Sequence, residues 1–298
     1  MKKIKIGYFA DGPWSHIAFE KLKADKRIVI QFIVPRFDTT DSTLKNYATK
    51  YNIDYFKDKN INSEEFIQKT ESYNCDLLIS MSFNQIFKKQ LIYLTREGII
   101  NVHAGKLPFY RGRNILNWAL INDEKEYGIT LHYVDEGIDT GDIIEQRTYE
   151  ITDTDNYKTL LENSYIECAD ILLKGVESIL DNKVDRIPQK SIHPFGFYCG
   201  RRGVGDENIN WNQTSRELFN FVRSICFPGP QARASLKNKE IKINKVREFK
   251  GVPSYKGFVG QILAKTTKGF LVKTLDTYIE VLSYEYDGKI RTGDRFTL

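Results

Sequence analysis

At 298 residues the chain is too long for one small core, so one large domain and a smaller one are expected. Hydrophobic residues make up 41% and charged residues 28%, a balance that excludes a disordered chain. The formal net charge of +5, from 44 basic and 39 acidic residues, is too mild to argue for nucleic acid by its sign alone, though it suits an anionic substrate.

The N-terminal "MKKIKIGYFADGPW" has too short an apolar core for a signal peptide, and "IKIGYFA" reads as a buried strand. "SHIAFEKLKADK" reads as an amphipathic helix with Ser15 as its N-cap. "IVIQFIVP" is a second strand, and "RFDTTDSTLKNYATKYNI" is loop plus helix. "INSEEFIQKTESYN" is a helix with a Ser-x-x-Glu-like start, "CDLLISMSF" a buried strand, "NQIFKKQLIYL" a short helix and "GIINVHAG" a strand polar only at its end. "NILNWALIND" is a helix, "YGITLHYVDEG" a strand, and "NYKTLLENSYIECADILLKGVESILDN" an amphipathic helix of about seven turns. Strands alternating with helices indicate an α/β domain, Rossmann-like, with a doubly wound and mostly parallel sheet.

"RIPQKSIHPFGFYCGRRGVGDENINWNQ" has no periodicity and reads as an extended connector, followed by the helix "SRELFNFVRSI". The runs "EIKINKVREF", "GFVGQILAKT", "GFLVKTL", "TYIEVLSYEY" and "DRFTL" alternate with Gly turns and no helix between them, which suggests a small OB-like β-barrel. The expected domains are residues 1–190 (catalytic), 191–234 (connector with helix) and 235–298 (small C-terminal β domain). Cys75, Cys168, Cys199 and Cys226 are scattered without CxxC spacing, so free thiols in a cytoplasmic protein are expected, with no metal site. No window approaches the roughly 18 apolar residues that a membrane span needs.

The loop after the first strand, "ADGPWSH", is not G-x-G-x-x-G, so a dinucleotide site of the usual kind is not supported. It lies at the carboxyl edge of the sheet, where backbone N–H groups at a helix start favour phosphate; a plain capping turn fits equally.

Asn101 and His103 stand at i and i+2 near the end of a strand, so their side chains share a face. The acidic loop "DEGIDTGDII", with Asp135, Glu136, Asp139 and Asp142, follows the next strand. An amide, an imidazole and a carboxylate brought together suit acyl transfer to an amine. The amide N–H donates to the oxyanion, the imidazole moves the proton, and the carboxylate orients it. On spacing alone a single histidine beside a loop is more often structural. His132 reads as such a structural case, and His16 and His193 belong to no constellation.

The segment "NVHAGKLPFYRGRNILNWALINDEKEYGITLHYVDEGIDTGDII" resembles the core of the folate-dependent formyltransferases. Asn-x-His, Leu-Pro, Tyr-Arg-Gly, a Trp in the next helix and Asp-x-Gly stand in that order as Asn101, His103, Leu107, Pro108, Tyr110, Arg111, Gly112, Trp118, Asp139 and Gly141. The resemblance implies N10-formyltetrahydrofolate as formyl donor and Asn101, His103 and Asp139 as catalytic residues. It implies folate contacts at Ser82, Phe83, Asn84, Gln85, Leu107, Pro108, Tyr110 and Asp135. "HAGKLP" departs from the family's usual run, with Gly105 in place of serine and Lys106 in place of leucine, which counts against the tRNA branch. "GRRGVGDENINW" is similar to a segment of formyltransferases acting on nucleotide-linked amino sugars. The substrate is then an NDP-linked amino sugar destined for a surface glycan such as lipopolysaccharide O-antigen. Its expected contacts are Asp11, Gly12, Trp14, Ser15, Lys106, Arg111, Arg113, Arg201, Arg202 and Trp211. Catalysis on this reading uses a protonated His103 beside the oxyanion. The alternative is methionyl-tRNA formyltransferase, with the basic run Lys237, Lys239, Lys242, Lys245, Arg247 and Lys250 meeting phosphates. A third reading, a catalytically inert binding regulator, is opposed by the intact Asn101, His103 and Asp139 set. Family analogy also implies a homodimer through the C-terminal part.

Overall fold

In the computed structural model, which describes residues 2–297, strand β1 (Ile4–Ala10) is buried at every position but Lys5. Such continuous burial is what a central strand of a covered parallel sheet requires. Helix α1 (Pro13–Ala24) follows, with Gly12 at its N-cap and Pro13 presetting the first turn. The expected Ser15 cap is therefore corrected: Ser15 lies inside the first turn, and its N–H and hydroxyl both donate to the Gly12 carbonyl. Next come β2 (Ile28–Val34), α2 (Thr43–Tyr51), β3 (Asp54–Tyr55) and α3 (Glu64–Ser72). The Ser63 hydroxyl caps α3 by accepting from the Phe66 N–H at 3.3 Å.

Strand β4 (Leu77–Met81) leads to α4 (Lys89–Ile92), shorter than expected because Phe83 and Phe87 turn inward onto Phe9, with ring centroids 5.5 and 5.2 Å away. β5 (Ile99–His103), the short β6 (Arg111–Gly112), α5 (Ile115–Ile121), β7 (Glu126–Tyr133), β8 (Ile143–Glu150) and α6 (Tyr157–Leu180) follow, then α7 (Gln189–Ile192) and β9 (Tyr198–Cys199). β8 was not anticipated, because "IIEQRTYE" is half-exposed and carries no clean alternation.

The main sheet has the order β3-β2-β1-β4-β5-β7-β8, with parallel pairing from β3 to β5 and antiparallel pairing of β5 with β7. The chain winds outward from β1 through β2 and then returns to β4 on the other side of β1. That reversal opens a crevice at the carboxyl edge, the usual ligand position in open α/β sheets.

By compactness the chain divides into two units. One comprises residues up to Gly112, Gly128–Tyr149 and Glu162–Cys199; the other comprises Arg113–Tyr127, Glu150–Leu161 and the chain from Gly200. Helix α5, expected with the catalytic domain, groups with the second unit, where the Asn117 amide donates to the Ser224 carbonyl at the end of α8 (Ser215–Ser224). Thr214 and Glu217 form a capping box on α8. The five-stranded sheet of this unit has the order β10-β11-β14-β13-β12 and is antiparallel throughout. Its strands are β10 (Ala232–Leu236), unanticipated, then β11 (Lys239–Glu248), β12 (Ile262–Lys265), β13 (Phe270–Lys273) and β14 (Tyr278–Tyr286). The closing "DRFTL" makes only a bridge from Arg295 to Gln261, and its last residue lies outside the described residues.

Trp211 is fully buried in this second core and stacks on Phe296, centroids 4.6 Å apart. The expected use of Trp211 as a surface for a nucleotide base is thereby overturned, since neither ring face reaches solvent. Among the described residues no helix is long and apolar enough to cross a membrane. Trp211→Ala should destabilise the C-terminal unit by about 3–5 kcal/mol, read by urea unfolding; a loss under about 1 kcal/mol would contradict its place in the core.

Candidate active site

Antiparallel pairing sets Asn101 of β5 opposite His132 of β7, and His103 opposite Thr130. Directly opposed residues project from the same face, so the Asn101 amide N–H₂ reaches His132 Nε2 at 3.2 Å. The His132 Nδ1–H donates to the Tyr133 carbonyl at 2.7 Å, which leaves Nε2 of the neutral ring as the acceptor. The amide is thus held with one N–H on His132 and its second N–H uncommitted to that contact. His132, expected to be merely structural, orients Asn101. The pairing of two strands was needed to find it.

His103 Nε2–H donates to the Tyr110 carbonyl at 2.7 Å, and this fixes Nδ1 as the nitrogen facing Asp139, 3.7 Å from Oδ2. Asp139 Oδ1 also lies 3.6 Å from His132 Nε2, so the carboxylate sits between two imidazoles. Because β7 is antiparallel, its end lies beside the start of β5, and the Asp135–Gly141 loop folds back to deliver Asp139. Burial pushes the His103 pKa below its ordinary value, against the pull of the Asp139 charge and the Tyr110 carbonyl. Burial alone would raise Asp139. The charge that the facing imidazoles of His103 and His132 acquire on taking up a proton, together with the Gly112 N–H, outweighs it and holds the carboxyl well below the usual range. The resting pair is a neutral imidazole beside an ionised carboxylate, whereas the expected protonated His103 belongs to the moment when the oxyanion forms.

The neighbouring loops are braced by residues that the sequence did not single out. The Thr130 hydroxyl donates to the Gly105 carbonyl at 2.6 Å, and the Gln146 amide donates to Thr130 and to the Leu107 carbonyl. Gln189, buried in the expected connector, donates to the carbonyls of Asp139 and Gly141, both at 2.8 Å. A side chain at residue 105 would place its Cβ 2.5 Å from the Tyr110 carbonyl oxygen and closer still to His103 Nε2. Gly105 is what lets these two groups meet.

The expected folate contacts divide into two kinds. Leu107, Pro108 and Tyr110 are buried beside His103. Asp135 braces its own loop, accepting from the Gly137 N–H and from the Thr140 hydroxyl. Phe83 packs on Phe9, and Gln85 bonds the backbone of Asp58 and Ile61, so those two side chains hold the loop after β4 in place. Ser82 adopts a left-handed backbone, and the buried Asn84 Oδ1 has no hydrogen-bond partner.

The expected substrate contacts are also sorted. A cavity of about 370 Å³ at the strand-order reversal is lined by Asp11, Gly12, Trp14, Arg36, Asp41 and Ser82, with Asp38 beside them. Arg36 is shared between Asp38 at 3.3 Å and Asp11 at 4.0 Å, so carboxylates outnumber cations and a phosphate is disfavoured there. Ser15 is fully buried and turned back on Gly12, not towards a ligand. Arg111 spends Nε and Nη2 on Gln189, which turns those two donors away from the expected diphosphate role. Arg202 lies over Trp118 and Phe221 and donates to the Asp206 carbonyl, so it packs its own unit. Arg113 and Arg201 are exposed, and Lys106 is half-buried.

Gly105→Ser should displace His103 from the Tyr110 carbonyl and lower kcat by about 10²-fold, while circular dichroism shows the fold retained. Unchanged kcat in that variant would contradict the proposed role of the close approach.

With this geometry in view, the comparisons are direct. A formyl transferase family model matches residues 16–173, and a formyl transferase C-terminal domain model matches residues 204–296. A methionyl-tRNA formyltransferase of Thermodesulfovibrio yellowstonii is 30% identical over 254 residues, 85% of this chain and 80% of that protein. The solved structure of WlaRD, a sugar 3N-formyl transferase with dTDP and 5-N-formyl-THF, superposes with a TM-score of 0.72 at 22% identity, covering 97% of this chain and 100% of its own. An N-formyltransferase from Helicobacter canadensis, in complex with folinic acid and dTDP-3-aminofucose, superposes with a TM-score of 0.69 at 23% identity, covering 94% and 99%. Two family models that together span most of the chain, and a relative at this identity over most of its length, leave one conclusion: the chain belongs to the formyl transferase family and is a formyl-transferring enzyme.

Proposed function

We propose that this enzyme moves a formyl group from N10-formyltetrahydrofolate to the free amine of a nucleotide-linked amino-deoxysugar, as a step in making a surface glycan. The observation that carries the reading is the set of Asn101, His103 and Asp139 on one face, with His103 neutral and its Nδ1 beside an ionised carboxylate. The bound folate supplies the formyl carbon that the amine attacks. Asn101 donates its second N–H to the oxygen as negative charge develops on it. His103 Nδ1 takes the proton that the amine sheds, and Asp139 steadies the resulting imidazolium. The proton later returns to the leaving nitrogen, so the side chains end as they began.

Three observations favour an amino sugar over tRNA. Gly105, absent from the family's usual run, is built into the contact of His103 with Tyr110. The acid-lined cavity suits the hydroxyls and amine of a sugar. In the basic run near the C-terminus, Lys237 pairs with Asp294, Lys239 with Asp287, Arg247 with Glu280 and Lys250 with Asp153, so among the described residues Lys242 and Lys245 remain without an ion pair, too few for the many phosphates of a tRNA backbone. The likeness in fold to two sugar formyl transferases points the same way.

The deciding assay supplies the formyl donor with dTDP-, UDP-, GDP- or CMP-linked amino sugars, and separately with initiator methionyl-tRNA. Turnover of one sugar nucleotide with none of the tRNA is expected; the reverse would contradict the reading. His103→Gln should lower kcat by about 10²–10⁴-fold with folding intact, and near-wild-type turnover would remove His103 from the chemistry. Because His103 must be neutral, kcat/KM should be flat at neutral pH and fall on the acid side with an inflection below about 6.5. The Asp139 charge raises the His103 pKa, so Asp139→Asn should move that inflection to still lower pH while reducing kcat.

A further inference from the structure

The C-terminal unit contains a cavity of about 710 Å³ formed wholly by its own residues, and none of the catalytic residues lines it. Its volume falls within the range of roughly 300–1,000 Å³ typical of small-molecule sites. One wall is a face of α8, with Phe219, Val222 and Arg223, continued by Cys226 and Phe227. The opposite wall is β11, whose pairing with β14 shifts register on both sides of Lys245. Such bulges commonly re-aim side chains beside functional sites. Here Asn244 falls out of the ladder and accepts the Phe227 N–H at 2.7 Å, while Lys245 is exposed at the rim.

The charges around this cavity are unevenly committed. Asp153 and Glu248 are taken up by Arg216 at 2.7 and 3.3 Å, and Asp155 accepts from Thr152 and Thr159. The Arg216 hydrogen bond keeps Asp153 below the usual carboxylate range. Arg223 is spent on the carbonyls of Thr152 and Asp155, and Arg247 on Glu280. Among the described residues the exposed Lys245 has no ion-pair partner, so it is available to an anion at the rim. The apolar lining meanwhile offers the rings of Phe219 and Phe227, the latter 64% exposed and so open to a flat ligand. An anionic group and a flat apolar body are both called for.

We infer that this cavity is a second ligand site, taking a nucleoside phosphate with its base against Phe227 and Phe219 and its phosphate on Lys245. The inference does not depend on the substrate assigned above, because no residue is shared with the catalytic face.

The test is isothermal titration of the full chain with dTDP and with UDP, on the wild type and on Lys245→Glu, Phe227→Ala and His103→Gln. Both rim residues are exposed, so their replacement should leave folding and formyl transfer at saturating substrate unchanged. A nucleotide-binding event weakened at least tenfold by Lys245→Glu and by Phe227→Ala, but retained in His103→Gln, supports the site. Nucleotide binding indifferent to both rim substitutions overturns it. So does equal competition by inorganic phosphate, which would mean that no base is held, and so does a loss confined to tRNA binding. Absence of sugar-nucleotide turnover alongside a rim-dependent nucleotide event would defeat the proposed function and leave this site standing.

Discussion

The hydrogen bond from His103 Nε2–H to the Tyr110 carbonyl is the contact on which the site depends. A carbonyl can only accept, so the bond assigns the proton to Nε2 and turns the basic Nδ1 towards Asp139. For the carbonyl to arrive there, Tyr110 takes a left-handed backbone and residue 105 must lack a side chain. The Thr130 and Gln146 side chains then hold the intervening carbonyls. One short loop thereby orients a strand-end histidine as the proposed role of a base requires.

Two opposing electrostatic effects are balanced around that ring. Burial disfavours the imidazolium, whereas the carboxylate of Asp139 favours it, and in the resting state burial prevails. A base that is neutral at rest yet has a carboxylate waiting 3.7 Å away can accept a proton without first losing one. Asp139 stays charged through the facing imidazoles and the Gly112 N–H, and it stays in place because Gln189 pins the loop by its carbonyl. These braces come from α7 and β6, elements of a few residues each, so the chemistry relies on short pieces of chain held by polar side chains rather than on the large elements.

Much of the architecture was legible in the sequence because burial on both faces leaves continuous apolar runs such as "IKIGYFA" and "CDLLIS", and because α6 carries a long periodic stripe. β8 escaped because a half-exposed edge strand has no such pattern, and α4 is shorter than the helix expected over "NQIFKKQLIYL" because Phe87 serves the core around Phe9. Asn101, His103 and Asp139 were anticipated through their ordered motif, and they do converge. His132 and Gln189 were not, since a cross-strand partner and a residue in an aperiodic connector acquire meaning only when the chain is folded. Trp211, Ser15, Arg111 and Arg202 show the reverse error. Residue type suggested a ligand contact, but the core, the helix start, Gln189 and the Trp118 ring had already claimed them.

The central claim is that His103 rests neutral, protonated on Nε2, with Nδ1 free to take a proton beside Asp139. Nitrogen-15 NMR of the imidazole rings across pH reads this directly. The account predicts an Nε2–H tautomer for His103 at neutral pH and a titration midpoint below about 6.5. An Nδ1–H tautomer, or an imidazolium persisting above neutral pH, would contradict it.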